Sequence, residues 1–261
     1  MEVSVFENQE TASLYVAQRI ANRVLMNNSI NEKTVLGLAT GSTPIPMYEK
    51  LIELHRMGVS FKNTITYNLD EYYPIKHSSD QSYHSFMKEH FFDHVDIQLD
   101  NTFIPNGEIE ETEVSTFCKD YEWSIRKNGG IDIQILGLGL NGHIGFNEPG
   151  SDKDSVTRKV ELSDITRSAA TKHFGDKKLV PKSAITMGIE TILEAQEIIV
   201  MAWGKGKSKI VKECIEGAIS KEVPGSLLQK HNNVKVVLDP EAASELNNDR
   251  ISLVEAKLSK T

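Results

Sequence analysis

Cysteine is nearly absent. Cys118 and Cys214 are the 2 such residues in a chain of 261, and neither has a second cysteine nearby. This excludes a disulfide framework and a thiolate zinc site. No apolar run approaches the roughly 20 residues that a membrane-spanning helix needs. The opening Met1-Glu2-Val3-Ser4-Val5-Phe6-Glu7 holds neither a basic segment nor an apolar stretch, so no secretory signal is read there and a cytoplasmic location is expected. Positive charge is in the minority: 29 Lys and Arg stand against 37 Asp and Glu, for a net charge of -8. Broad electrostatic capture of nucleic acid is thereby excluded, and an anionic ligand has to be held by a local cluster of cations and N–H groups. Internal repeats, low-complexity tracts and Gly/Ser linkers are also missing, so a single domain over residues 1–261 is expected. What remains is ordinary soluble composition, 39% hydrophobic and 25% charged, at a length that buries roughly 70–75% of the unfolded surface.

Short apolar segments rich in branched residues recur at Thr34 to Ala39, Thr64 to Leu69, Ile131 to Leu138, Ile198 to Trp203 and Val234 to Leu238, and read as buried strands. Helical spacing connects them: Val16, Ile20 and Val24; Tyr48, Leu51, Ile52 and Leu54; Ile185, Ile189 and Leu193; Ile210, Val211, Cys214 and Ile215. The alternation implies an α/β fold, a Rossmann-like parallel sheet flanked by helices. The polar stretch around residues 149–181, broken by Gly150 and Gly175, reads as a lid-like excursion. The charged residues from about Asn247 read as a marginal helix or frayed tail.

Ligands of open parallel sheets sit beyond the carboxyl ends of the strands. Four such ends are informative. Leu38-Ala39-Thr40-Gly41-Ser42-Thr43-Pro44 turns through glycine into hydroxyl residues, with a proline suited to the first helical position; it fits an anion site at a helix start and equally an ordinary helix cap. Asn68-Leu69-Asp70-Glu71-Tyr72-Tyr73 places adjacent carboxylates among aromatic residues, where desolvation raises proton affinity and suits a general base. Gly137-Leu138-Gly139-Leu140-Asn141-Gly142-His143 carries the G-x-G-x-x-G spacing of dinucleotide folds, but Gly145, Pro149 and Gly150 break the helix that should receive a pyrophosphate. The alternative is a glycine-rich loop that sets His143 near Asn141 and Glu148 for acid–base work. Finally, Gly206-Lys207-Ser208 imitates the end of a P-loop, yet Met201 stands where that motif needs glycine, leaving Lys207 as a cation at a helix start. His90 and His94 lack the zinc-helix pattern, and Phe86, Phe91 and Phe92 read as core.

These segments together resemble the glucosamine-6-phosphate deaminase family from about Val35 through Val236. The most specific pieces are Leu69-Asp70-Glu71-Tyr72, Ser82-Tyr83-His84-Ser85-Phe86-Met87 and Gly142-His143-Ile144-Gly145-Phe146-Asn147-Glu148-Pro149. The related 6-phosphogluconolactonases share the fold and the Gly-His turn but lack the Phe-Asn-Glu-Pro continuation. The resemblance implies conversion of glucosamine 6-phosphate and water to fructose 6-phosphate and ammonia, without metal or organic cofactor. It implies that His143, oriented by Glu148 and Asn141, opens the pyranose ring, and that Asp70 moves a proton from C2 to C1 with Glu71 positioning it or touching substrate. It also implies that Thr40, Gly41, Ser42, Thr43, Lys172 and Lys207 hold the phosphate. Many members have aspartate in place of Asn141 and arginine in place of Lys172; Arg167 is a second candidate for that lost guanidinium. The expected partner is a small amino-sugar phosphate, with no nucleic acid and no membrane; a homo-oligomer stays open, since some relatives are hexamers activated by N-acetylglucosamine 6-phosphate and Arg158 alone does not decide. Two other functions compete: a non-catalytic sugar-phosphate sensor, disfavoured because about thirty residues precede the first apolar strand, and a lactonase using His143.

Overall fold

Branched and aliphatic residues buried on both faces put Thr34–Leu38, Ile133–Gly137 and Glu197–Ala202 at the centre of an eight-stranded sheet. The computed structural model describes residues 1–247 and the backbone of 251–253. In chain order the elements are β1 (Glu2–Val5), α1 (Gln9–Ser29), β2 (Thr34–Leu38), α2 (Ile45–Arg56), β3 (Thr64–Asn68), β4 (Asp70–Tyr73), α3 (Tyr83–His90), β5 (Thr102–Phe103) and α4 (Val114–Lys127). There follow β6 (Ile133–Gly137), β7 (Arg158–Glu161), α5 (Asp164–Phe174), β8 (Ser183–Thr186), α6 (Ile189–Leu193), β9 (Glu197–Ala202), α7 (Ser208–Glu216), β10 (Val234–Leu238) and β11 (Ile251–Leu253). The large sheet runs β11-β1-β10-β9-β6-β2-β3-β5, and every pairing in it is parallel. This is the expected Rossmann-like α/β arrangement.

Register assigns the faces. Leu36, Thr66, Ile133 and Glu197 are aligned neighbours and share one side. Helix α1 packs there, since Arg19 pairs with the Glu197 carboxylate, and α2 lies against α1. Tyr67 points to the other side, where its ring meets Tyr121 of α4 edge-on at 5.5 Å. Helix α1 begins at an Asn8 cap whose Oδ1 accepts from Thr11 N at 2.9 Å. From β2 the chain steps to β3 and β5 on one side, then returns to β6 on the other. The crevice at the carboxyl ends of β2 and β6 is therefore the topological switch point, where ligands of such sheets bind.

Several expectations need correction. A strand, β1, precedes the first expected one, and it pairs with β10 and β11. Ile185 belongs to a strand rather than a helix, because β8 joins β4 and β7 in a separate antiparallel sheet, and α6 is only 5 residues long. The stretch 149–181, expected as a lid-like excursion, does leave the large sheet: it contains β7, the edge strand of the second sheet, and α5. Pro44 sits one position before α2, with Pro46 inside its first turn. Of the expected tail, Ile251–Leu253 is a strand and the other residues beyond Asn247 lie outside the described residues. Both cysteines are buried, and no described helix is long and apolar enough to cross a membrane.

Candidate active site

Leu69 is the single residue between β3 and β4, and its backbone swings the chain out of the large sheet. Its N–H donates to Leu38 O at 2.9 Å, while its carbonyl accepts from Met187 N at 2.7 Å. Asp70 follows at once, paired in register with Thr186. Strand alternation then separates the two carboxylates. Asp70 and Tyr72 share one side of β4. Glu71 points the other way, fully buried, and accepts from the N–H groups of Tyr72, Tyr83 and His84 at 2.9, 2.9 and 3.0 Å. Since Tyr83 and His84 open α3, Glu71 is an anchor for that helix. The expectation that Glu71 contacts substrate is not met by this geometry. Burial, opposed by the three N–H groups, raises its carboxyl to about 7; burial and then the Glu71 charge raise Asp70 to about 8.

The loop after β6 supplies the second group. Gly139 N donates to His143 O at 2.9 Å and Gly142 N to Gly139 O at 3.0 Å, closing a tight turn rather than opening a dinucleotide helix. The imidazole folds over Gly139: a Cβ there would lie 2.4 Å from the ring, so only glycine admits it. Asn141 accepts from His143 N at 3.2 Å and donates through Nδ2 to Glu148 Oε2 at 2.8 Å. His143 Nδ1 faces the same Oε2 at 3.7 Å, an ion-pair separation longer than a hydrogen bond. Glu148 Oε1 accepts from the Ser163 hydroxyl at 3.0 Å and from the Thr166 hydroxyl. Burial alone would raise Glu148, but its partners His143, Thr166 and Asn141 outweigh burial and bring it down to about 2.

Two residues beyond His143 the loop meets Asp70. Gly145 has φ of 56°, and an added Cβ would sit 3.3 Å from Asp70 Oδ2. The following Phe146 N donates to Thr186 Oγ1 at 3.1 Å, and the Phe146 ring packs on Tyr72 at 5.3 Å. Asn147 locks the loop through bonds to Ile144 O and Met187 O at 2.9 and 2.8 Å. The base candidate and the histidine loop are therefore one packed unit.

The phosphate candidates gather across the switch point. No side chain caps α2, and the hydroxyls of Ser42 and Thr43 make no hydrogen bond among the described residues. Within the anion reading of Thr40, Gly41, Ser42 and Thr43, the Ser42 and Thr43 hydroxyls are thus free, Thr40 is engaged with Tyr83, and Gly41 at φ of 90° faces open space. Trp203 Nε1 donates to Thr43 O at 3.1 Å, tying the end of β9 to this turn. Lys207 Nζ donates to Leu138 O at the end of β6. Burial, and then the positive charge of Lys172, depress the Lys207 ammonium, so Lys172 on the last turn of α5 is close enough to be felt. Arg167 is engaged elsewhere: its Nη2 donates to Lys177 O and Val180 O at 3.1 and 3.3 Å. Neither His90 nor His94 joins a metal cluster among the described residues, and His94 Nε2 lies 2.7 Å from Glu89 O.

Sequence reasoning missed Tyr83, Thr186, Ser163 and Thr166 as members of this site. Ser163-Asp164-Ile165-Thr166 carries a helix-start signal that Ser163 does fulfil, accepting from Thr166 N at 3.1 Å. Its second task, holding Glu148, has no local signature. A cavity of about 360 Å³ lies instead at the amino-terminal edge of the sheet against α1; its Arg19 and Arg23 are paired with Glu197 and Asp132.

The family model described as glucosamine-6-phosphate isomerases/6-phosphogluconolactonase matches residues 7–237. The chain is 45% identical over 247 residues to the glucosamine-6-phosphate deaminase of Halothermothrix orenii, spanning 94% of this chain and 100% of that protein. It is 43% identical over 258 residues to that of Thermoanaerobacter pseudethanolicus, spanning 98% and 99%. Among solved structures, a monomeric glucosamine-6-phosphate deaminase matches with a TM-score of 0.89 at 41% identity, over 94% of this chain and 100% of that one. The 6-phosphogluconolactonase of Leishmania guyanensis matches with a TM-score of 0.74 at 21% identity, over 94% and 98%, and shares the fold.

Proposed function

The chain belongs to the family of glucosamine-6-phosphate isomerases and 6-phosphogluconolactonases, and we propose that within it the protein is a glucosamine-6-phosphate deaminase, converting glucosamine 6-phosphate and water to fructose 6-phosphate and ammonia. The observation that carries this reading is the packing of the Asp70 carboxyl against the loop of His143. A lactone hydrolase has no C–H bond to break, whereas an isomerising deaminase needs a desolvated carboxylate over C2.

The phosphate is held by the Thr40–Thr43 turn with Lys207 and Lys172, which fixes the far end of the sugar and orients its reacting carbons. Glu148, held at about 2, stays anionic and faces His143 Nδ1 across 3.7 Å, which orients the imidazole. His143 moves a proton between the ring oxygen and the C1 hydroxyl, opening the ring to the aldehyde. Asn141 positions Glu148 without adding charge. Asp70 then takes the C2 proton; the C–H electron pair becomes a C1–C2 double bond, and the aldehyde oxygen takes a proton from the C2 ammonium, which becomes the amine whose lone pair the next step uses. Return of a proton from Asp70 to C1 leaves an iminium at C2. Water adds there, and ammonia leaves as the ketone forms. Side-chain acid–base chemistry suffices for each step.

The purified protein is expected to release ammonia and fructose 6-phosphate in equal amounts from glucosamine 6-phosphate. Tight binding without turnover would instead favour a sensor, and hydrolysis of 6-phosphogluconolactone without deamination would place it with the lactonases.

A further inference from the structure

Asp70 and Glu71 are consecutive carboxyls with 6% and 0% exposure. Glu71 is compensated by three backbone N–H groups, but Asp70 accepts no hydrogen bond among the described residues. No Lys, Arg or His of the described residues lies within ion-pair distance of either. The groups that face Asp70 are Glu71 and Tyr72 from its own strand, Thr186 from the paired strand β8, Tyr83 from α3, Tyr121 from α4, and Gly145 from the histidine loop. All are acidic or neutral. The Thr186 hydroxyl donates to Met187 O at 3.2 Å and makes no hydrogen bond to Asp70 among the described residues. The site therefore holds a buried carboxyl, a like charge beside it, and no cation.

Resting on the deaminase reading, one group of the substrate fits this gap: the ammonium on C2, the same carbon whose proton Asp70 takes. We propose that the substrate's own C2 ammonium is the counter-ion of Asp70, so that the base ionises only when a 2-amino sugar binds and hexose 6-phosphates lacking that charge are rejected. On binding near neutral pH, the Asp70 carboxylic acid gives its proton to solvent and the carboxylate pairs with the ammonium; the freed carboxylate then accepts the C2 proton. Burial and the Glu71 charge keep the Asp70 carboxyl up at about 8, protonated at neutrality, and a cation a few ångströms away acts in the opposite sense. Selection is by charge rather than shape, since the aromatic neighbours Tyr72, Tyr83 and Phe146 carry no charge to tell an amine from a hydroxyl.

The test uses two inert ligands, the open-chain alcohols obtained by reducing glucosamine 6-phosphate and glucose 6-phosphate, which differ at C2 in bearing an amine or a hydroxyl. Titration calorimetry at pH 7 in two buffers of different ionisation heat gives affinity and proton release. Wild type is expected to bind the amino ligand at least about ten-fold more tightly and to release close to one proton more with it. In Asp70→Asn both differences are expected to vanish, while affinity for the hydroxyl ligand, which reports a folded site, stays within about three-fold. An undiminished preference in Asp70→Asn, or equal proton release in wild type, would overturn the proposal. Neither readout involves turnover, so failure to form ammonia would remove the deaminase reading and leave a distinct result here.

Discussion

Two neighbouring carboxyls do different work because a strand turns successive side chains to opposite sides. Asp70 and His143 were legible from sequence since each follows an apolar run, where parallel sheets place ligands. Glu71 was not, because β4 has only 4 residues and carries no readable alternation. The raised carboxyl of Asp70 has a stability consequence with a definite sign. Below the ordinary carboxylate range the group is protonated folded and unfolded alike, and it costs nothing. As pH rises from there to about 8 the unfolded chain ionises more readily, and stability is progressively lost. Asp70→Asn is therefore expected to raise the melting temperature of the ligand-free protein by several degrees at pH 8 and by much less at pH 5. Thermal melts at the two values check this; equal shifts would mean that the carboxyl is not held protonated. Gly139 makes a sharper steric case. Gly139→Ala is expected to displace the imidazole and lower kcat at least about 100-fold, with far-ultraviolet circular dichroism unchanged.

Elements show where pattern reading stops. The central strands β2, β3, β6, β9 and β10 announce themselves through branched apolar residues, buried on both faces. The small sheet does not: β4 is acidic and aromatic, β7 reads Arg-Lys-Val-Glu, and β8 borrows Ile185 from an apparent helical spacing. Such strands are defined by their partners rather than by their own composition. Helix α5 illustrates how an element reaches the chemistry. Its cap, Ser163, and its first-turn Thr166 both donate to Glu148, so the helix that bears Lys172 is bonded to the catalytic loop. Thr166→Val removes one of those donors. It is expected to raise the Glu148 pKa and lower kcat, with the acid limb of the pH–rate profile moved upward; a change in KM alone would assign Thr166 to substrate binding instead.

At the scale of the molecule, a chain of net charge -8 can hold an anion only by local means. The candidate donors follow β2 and β9, far apart in sequence, with Leu138 O at the end of β6 accepting from Lys207 between them, and only the crossover at the switch point unites them. Partly buried Lys207 is expected to matter more than exposed Lys172: Lys207→Ala should raise KM about 10- to 100-fold and Lys172→Ala less than about five-fold, in steady-state assays at fixed ionic strength. The opposite order would move the phosphate outward onto α5. The account turns on a single carboxyl acting on C2 beside a histidine loop. The most direct measurement compares wild type with Asp70→Asn for ammonia and fructose 6-phosphate formed from glucosamine 6-phosphate. A loss of about 100- to 10,000-fold in kcat is predicted, with phosphate-ligand binding retained. Product formation by Asp70→Asn at the wild-type rate would contradict it.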